Sequence, residues 1–226
     1  MKDPAACTPA ATIAGFPSLV VEIAGVRLCT VPRLEDLVDR DALLRGDAEP
    51  PYWAYLWSGA RLLASEIARG DHLRGRRVLE IGCGLGLPGL VAAARGADVT
   101  FVDAEPAALA FVTASASATG LTCATMVADF FTLDLTPRFD VVLAAEVAYD
   151  RARFADLAAV VVRHLAPGGM ALLADGYRTD TRGLYRALAR LDCAAHAVDV
   201  RVVEEGRPLP LRLSVVTRRD SPPRPA

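Results

Sequence analysis

The sequence predicts an α/β fold: a Rossmann-like, mainly parallel seven-stranded sheet with a C-terminal antiparallel hairpin and helices on both faces. Three observations predict it. From Arg76 onward, short apolar runs and helix-like runs alternate through five strands, four of them followed by a helix, and such alternation places helices on both faces of a parallel sheet. The run Phe139–Ala145 reads as a strand in the middle of that sheet. At the carboxy end, His196–Val203 and Leu209–Thr217 are separated only by Glu204-Glu205-Gly206-Arg207-Pro208. Strands joined by so short a loop must be antiparallel.

Each element follows from its local pattern. Residues 1–17 are rich in Ala, Pro and Thr and are expected to be loosely ordered. Residues 18–31 alternate around Ala24-Gly25, a β-hairpin signal. Leu34, Leu37, Val38 and Leu44 fall at near-helical spacing, predicting one short helix that Pro50-Pro51 ends. Both tryptophans and two of the five tyrosines lie in Tyr52–Gly59, where packing for area competes with a ligand-lining role. Ser58 is a candidate cap for a helix from Gly59 to Arg69.

The alternating part then reads strand Arg77–Ile81, helix Leu87–Arg95, strand Val99–Val102 and helix Pro106–Thr119, whose proline suits a first turn. Strand Cys123–Val127 follows, with a loop holding Asp129-Phe130-Phe131. After Phe139–Ala145 come helix Ala152–Leu165, a turn at Ala166-Pro167-Gly168-Gly169, strand Met170–Ala174 and helix Thr181–Leu191. The expected organisation is an extension over 1–50 with the hairpin and short helix, a main domain over 51–217 and a disordered tail over 218–226.

Composition narrows the function classes. The 226 residues are 53% hydrophobic, enough for one sizeable core. With 25 basic against 27 acidic residues, the net charge of −2 argues against nucleic-acid or membrane-surface partners. Lys2 is the only lysine. The five cysteines (Cys7, Cys29, Cys83, Cys123, Cys193) are odd in number and show no Cys-x-x-Cys. That disfavours a disulfide framework or a zinc site and fits a reducing compartment, so no metal is expected. Neither a signal sequence nor a membrane-length apolar run is evident, and the expected location is the cytoplasm.

The chain is organised around Arg77-Val78-Leu79-Glu80-Ile81-Gly82-Cys83-Gly84-Leu85-Gly86, a strand running into a glycine turn, with Asp103 closing the next strand. This is a recipe for holding a ribose: Gly82 and Gly84 let the backbone approach the ligand, and Asp103 accepts from ribose hydroxyls. The turn has two frames. Gly84-Leu85-Gly86-Leu87-Pro88-Gly89 matches the dinucleotide fingerprint, with Asp103 19 residues after Gly84, near the expected ~20. Gly82-Cys83-Gly84-Leu85-Gly86 preceded by Glu80 is the other. Glu80 would repel a pyrophosphate and instead suits a ligand amine, directly or through water. Pro88 removes an N–H from the helix start that would hold phosphate. The antiparallel carboxy end also fits the second frame. A cofactor with a ribose and an α-amino acid but no phosphate satisfies all three points.

Val78–Gly86 resembles motif I of the class I S-adenosylmethionine-dependent methyltransferases, whose reversed last strand the carboxy end also resembles. Pro51-Tyr52-Trp53-Ala54-Tyr55-Leu56-Trp57-Ser58-Gly59 and Glu146-Val147-Ala148-Tyr149 are similar to segments of the seven-β-strand protein lysine methyltransferases, in particular those acting on the electron-transfer flavoprotein β-subunit. One departure stands out: Asp175-Gly176-Tyr177-Arg178 replaces the Asp-Pro-Gly-Arg of those relatives.

The resemblance implies S-adenosylmethionine as cofactor, with the cofactor-binding set Trp57, Glu80, Gly82, Gly84, Asp103, Asp129, Phe130 and Ala145. Asp129 and Phe130 would meet the adenine, and Trp57 would line the cofactor from the opposite side. Glu146 is implied as the group that orients the amine and stabilises its developing charge, with Tyr149 positioning it. The implied acceptor is a lysine of a protein, the flavoprotein β-subunit being one candidate. A small-molecule N- or O-methyltransferase, a flavin or nicotinamide oxidoreductase and a non-catalytic binding module are the alternatives.

Overall fold

In the computed structural model, residues 9–219 are described apart from 39, 48, 49, 178 and 205. A three-stranded antiparallel sheet opens it: β1 (Pro9–Ile13), β2 (Phe16–Ile23) and β3 (Val26–Thr30). β1 occupies part of the region expected to be loosely ordered, because it finds a partner in β2 (Ala10 opposite Ser18). The expected hairpin is present. Ala24 and Gly25 both take positive φ, 53° and 83°, as a two-residue turn between right-twisted strands requires. The expected helix over 34–44 is instead a 3₁₀ turn, Leu34–Leu37, and α1 (Arg40–Arg45), because Val38 is extended.

A seven-stranded sheet follows, built from β4 (Arg77–Ile81), β5 (Asp98–Asp103), β6 (Ala124–Val127), β7 (Phe139–Ala145), β8 (Leu165–Gly176), β9 (Cys193–Glu204) and β10 (Arg207–Arg218). The strand order is β6-β5-β4-β7-β8-β10-β9. All neighbours through β8 run parallel, and β10 is antiparallel to both β8 and β9. The connecting helices are α2 (Ser58–Ala68), α3 (Leu87–Ala94), α4 (Pro106–Thr119), α5 (Phe154–His164) and α6 (Arg182–Arg190).

Two apolar layers hold the sheet. One joins Leu63 and Ile67 of α2, Leu90 of α3 and Phe111 of α4 to Val78, Phe101 and Val141. The other packs Leu157 and Val161 of α5 and Leu184 and Leu188 of α6 on Leu79, Val142 and Leu173. The amino-terminal sheet belongs to the first layer through Val26, Leu28 and Cys29. Its attachment is polar as well: the Cys29 N–H donates to Ser115 Oγ at 2.8 Å and the Arg27 N–H to Thr119 Oγ1 at 2.9 Å.

Three boundaries differ from expectation. Ser58 is the first residue of α2, not its cap; its hydroxyl donates to Glu204 Oε1 at 2.6 Å, and Trp57 holds the cap position without a side-chain bond. The turn expected at 166–169 is absorbed into β8. Leu165 already pairs with Phe139, the register shifts, and Met170 resumes opposite Val141. Arg218, expected in the tail, ends β10 and donates to the Val162 carbonyl at 3.0 Å. The tail from 220 lies outside the described residues.

Candidate active site

The ends of β4, β5, β7 and β8 meet where the strand order reverses between β4 and β7. In open α/β sheets this switch point is where a crevice forms. The glycine turn lines it. Gly82 and Gly84 both take left-handed φ, 56° and 50°. A Cβ on Gly82 would lie 2.9 Å from Val147 Cγ1, and one on Gly84 would lie 2.9 Å from the Trp53 carbonyl oxygen. The underside of the turn is therefore filled by protein, and only glycine passes there. Trp53 itself packs against Phe16 and Phe111, so this tryptophan is core.

Asp103 ends β5 at 8% exposure. Its Oδ2 accepts the Gly84 N–H at 2.8 Å and its Oδ1 the Glu105 N–H at 3.0 Å. Burial raises its pKa, against the pull of those N–H donors. The carboxylate keeps lone-pair capacity for a further donor.

Glu80 is 2% exposed and accepts the Gly89 N–H at 2.8 Å. Gly89 lies in the first turn of α3, where N–H groups have no partner within the helix. Desolvation pushes the Glu80 carboxyl up to about 8; Gly89 opposes this and nearby Asp103 adds to it. At neutral pH the group is therefore mainly neutral, so it disfavours a pyrophosphate by occupying a helix-start N–H rather than by charge repulsion. Pro88 beside it supplies no N–H. The residues present thus fit a ribose-bearing, phosphate-free cofactor better than a dinucleotide. Burial likewise pushes the Cys83 thiol up, in keeping with a small filler.

Phe130 reaches the turn: a Cβ on Gly82 would meet its ring at 3.3 Å. It packs on Phe131 with centroids 4.4 Å apart, and the Arg153 guanidinium lies 3.6 Å over the Phe131 ring. Asp129 is exposed and folds back on its own loop, its Oδ1 accepting the Phe131 N–H at 2.9 Å. Trp57 stands at the start of α2, with its ring 4.6 Å from that of Tyr55 and its Nε1–H donating to the Tyr52 carbonyl at 3.1 Å.

Ala145 closes β7 opposite Ala174 of β8. The next residue, Glu146, takes a left-handed φ of 58°, a strained conformation for a side chain of this size. Its carboxylate bridges two elements, Oε1 accepting the Gly59 N–H of α2 and Oε2 the Gly176 N–H of β8, each at 3.2 Å. Its own N–H donates to the Ala174 carbonyl at 2.8 Å. Tyr149 lies three residues on and is 71% exposed.

The fold thus gathers Gly82, Gly84, Asp103 and Phe130 around the turn, and Trp57, Ala145 and Glu146 around the start of α2. Glu80 sits beneath α3, and Asp129 and Tyr149 stand at the rim. Sequence reasoning missed Gly59 and Gly176 as carboxylate donors and Asp175 as a buried acid at 5% exposure. Only the placement of Asp175 directly after an apolar strand signalled it.

Residues 78–169 match the family model described as "Methyltransferase domain". The chain is 36% identical over 129 residues to "Protein N-lysine methyltransferase METTL21A" of Danio rerio, covering 53% of this chain and 58% of that protein. It is 31% identical over 104 residues to "Electron transfer flavoprotein beta subunit lysine methyltransferase" of Danio rerio, covering 45% and 40%. The chain spans about half the length of these curated relatives. Among solved structures, magnesium protoporphyrin IX methyltransferase of Synechocystis with bound SAM superposes with a TM-score of 0.57 at 16% identity, covering 69% of this chain and 77% of that one. A putative SAM-dependent methyltransferase of Streptococcus mutans gives 0.66 at 12% identity, covering 88% and 55%. Together, the strand order with its reversed β10 and these matches show a methyltransferase-like fold, with a methyltransferase domain matched over residues 78–169.

Proposed function

We propose that this protein methylates lysine side chains of a protein substrate, with S-adenosylmethionine as donor. The observation that carries the reading is Glu146: a carboxylate held by two backbone N–H groups, in a strained conformation, at the strand ends that also bear the glycine turn. Strain of this kind is kept where surrounding structure enforces it, often at functional sites. The two curated relatives, both lysine methyltransferases by name, support the acceptor class.

In this reading Asp103 binds the ribose, the Gly82–Gly84 backbone lies along the cofactor, and Phe130 and Asp129 meet the adenine. Trp57 closes the other side. The cofactor supplies an electrophilic sulfonium methyl. The chain's part is to align the acceptor nitrogen and exclude water. Removing a proton from a lysine of ordinary pKa costs roughly 4–5 kcal/mol at pH 7. Glu146 offsets part of the later cost by facing the positive charge that develops on nitrogen. Tyr149, at the rim, steers the aliphatic stem or the amine of an incoming chain.

The electron-transfer flavoprotein β-subunit is a candidate substrate, named through one relative. The cytoplasm is the proposed compartment. It is supported by the cysteines free among the described residues, Cys29, Cys83, Cys123 and Cys193. Among those residues no helix is long and apolar enough to cross a membrane. Incubation of the protein with tritium-labelled S-adenosylmethionine and cell lysate tests the function. Label on lysine in a protein band supports it, and label confined to small molecules overturns it.

A further inference from the structure

The carboxyl of Asp175 is the one buried side-chain oxygen site, among the described residues, with an unmet hydrogen-bonding atom. Its Oδ2 is inaccessible and has no hydrogen-bond partner, at a residue 5% exposed. A buried acceptor without a partner destabilises the fold and is kept where it has a role. Its surroundings supply one. Asp175 lies between Ala174, whose carbonyl accepts the Glu146 N–H, and Gly176, whose N–H donates to the Glu146 carboxylate. The Ala148 N–H favours the charged form of the Asp175 carboxyl. Residues 146–148 and 174–176 are thus stitched together beyond the end of the β7–β8 ladder, with two carboxyls on the stitch.

We propose that Asp175 is the second carboxyl of the methyl-acceptor site, paired with Glu146, and that the pair takes up the proton a cationic amine must lose before it is methylated. This rests on the amine-methylating reading above. The proton leaves the ammonium nitrogen for the carboxyl pair. The freed electron pair forms the N–C bond while the S–C bond breaks towards sulfur. The sulfonium becomes a neutral thioether, and the positive charge ends on the methylated nitrogen. The two acids also select the acceptor, since they favour a cationic amine over a neutral hydroxyl or a carboxylate.

The charged neighbours are consistent with one shared proton. Burial raises the Asp175 carboxyl to about 7, and Glu146 adds to the rise, while the Ala148 N–H and Arg212 on β10 oppose it. Arg212 is itself engaged by Asp199, at 2.8 and 3.2 Å, and by the Tyr177 hydroxyl at 3.0 Å. From α6, Tyr185 faces the same region, with its hydroxyl 2.6 Å from Ser214 Oγ. A base that titrates near the working pH is well matched to moving a proton.

Carbon-13 NMR of the full chain labelled at its aspartate carboxyls tests the pairing without any turnover. One resonance is expected to titrate near neutrality, to vanish in D175N and to move to lower pH in E146Q. Titration in the ordinary carboxylate range, or a midpoint that E146Q leaves in place, overturns the pairing. The second arm uses tritium-labelled S-adenosylmethionine with lysate protein. D175N is expected to keep cofactor affinity by calorimetry, to transfer roughly 100-fold more slowly and to lose the rise in rate through neutral pH. An unchanged profile in D175N overturns the proton-uptake role. If the wild-type chain labels no protein, lysine methylation falls, and the NMR arm still decides the carboxyl pair.

Discussion

The Asp103 carboxylate accepts the Gly84 N–H at 2.8 Å and so ties the end of β5 to the middle of the glycine turn. One side chain therefore both shapes the turn and faces the proposed ribose position. Asp103→Ala removes that tie as well as a charge-assisted acceptor of about 1.5–3 kcal/mol per bond. Cofactor affinity by calorimetry is expected to fall by roughly 100-fold or more. Affinity within a factor of two of wild type would remove Asp103 from the ribose site.

Gly89→Ala probes the packing under α3. The added methyl would collide with Glu80 Oε2 and the Phe101 ring, both of them buried. A loss of about 1–3 kcal/mol is expected, read as a lower melting temperature. An unchanged melting temperature would show that Glu80 moves aside freely.

Glu146→Gln keeps the size of the side chain and removes its charge. Methyl transfer to lysate protein is expected to drop by roughly 100-fold, while cofactor affinity stays near wild type. Full transfer activity in this variant would take Glu146 out of the chemistry.

Acid–base linkage gives a fourth test. Folding raises the Glu80 carboxyl from 4.5 to about 8 and the Asp175 carboxyl from 3.8 to about 7. Between those limits the folded chain holds protons that the unfolded chain has released. Stability is therefore fully present below the unfolded values and is lost as pH rises through the folded ones. Thermal melts are expected to show a lower melting temperature at about pH 8 than at about pH 5.5, and E80Q and D175N are each expected to flatten the difference. A melting temperature that climbs over this window would contradict the buried state of both groups.

Much of the fold was legible because its signals are local. The short buried run Arg77–Ile81, the proline opening Pro106–Thr119 and the dense apolar run of Phe139–Ala145 each gave bounds that match the structure. Asp103 and the glycines were legible for the same reason, as a short motif. What escaped depends on contacts between distant residues. β1 exists because β2 pairs with it. Ser58 was misread as a cap because its real partner, Glu204, is 146 residues away. Asp175 was legible only as the acid that opens Asp175-Gly176-Tyr177-Arg178, and nothing in its neighbours along the chain shows that Glu146 is close enough to raise its pKa. Glu80 was legible as a strand-end acid, but its burial under Gly89 required the path of α3.

The sheet order β8-β10-β9 has a consequence for how the chain is made. A ribosome releases β9 before β10, yet β9 has no partner in the sheet except β10, which must insert between it and β8. The nascent strand therefore waits unpaired, and the Ser58–Glu204 bond that ties α2 to the end of β9 waits with it. Vectorial synthesis can complete the parallel strands β4 to β8 before this edge closes. The hairpin is accordingly the segment most exposed to mispairing with another nascent copy.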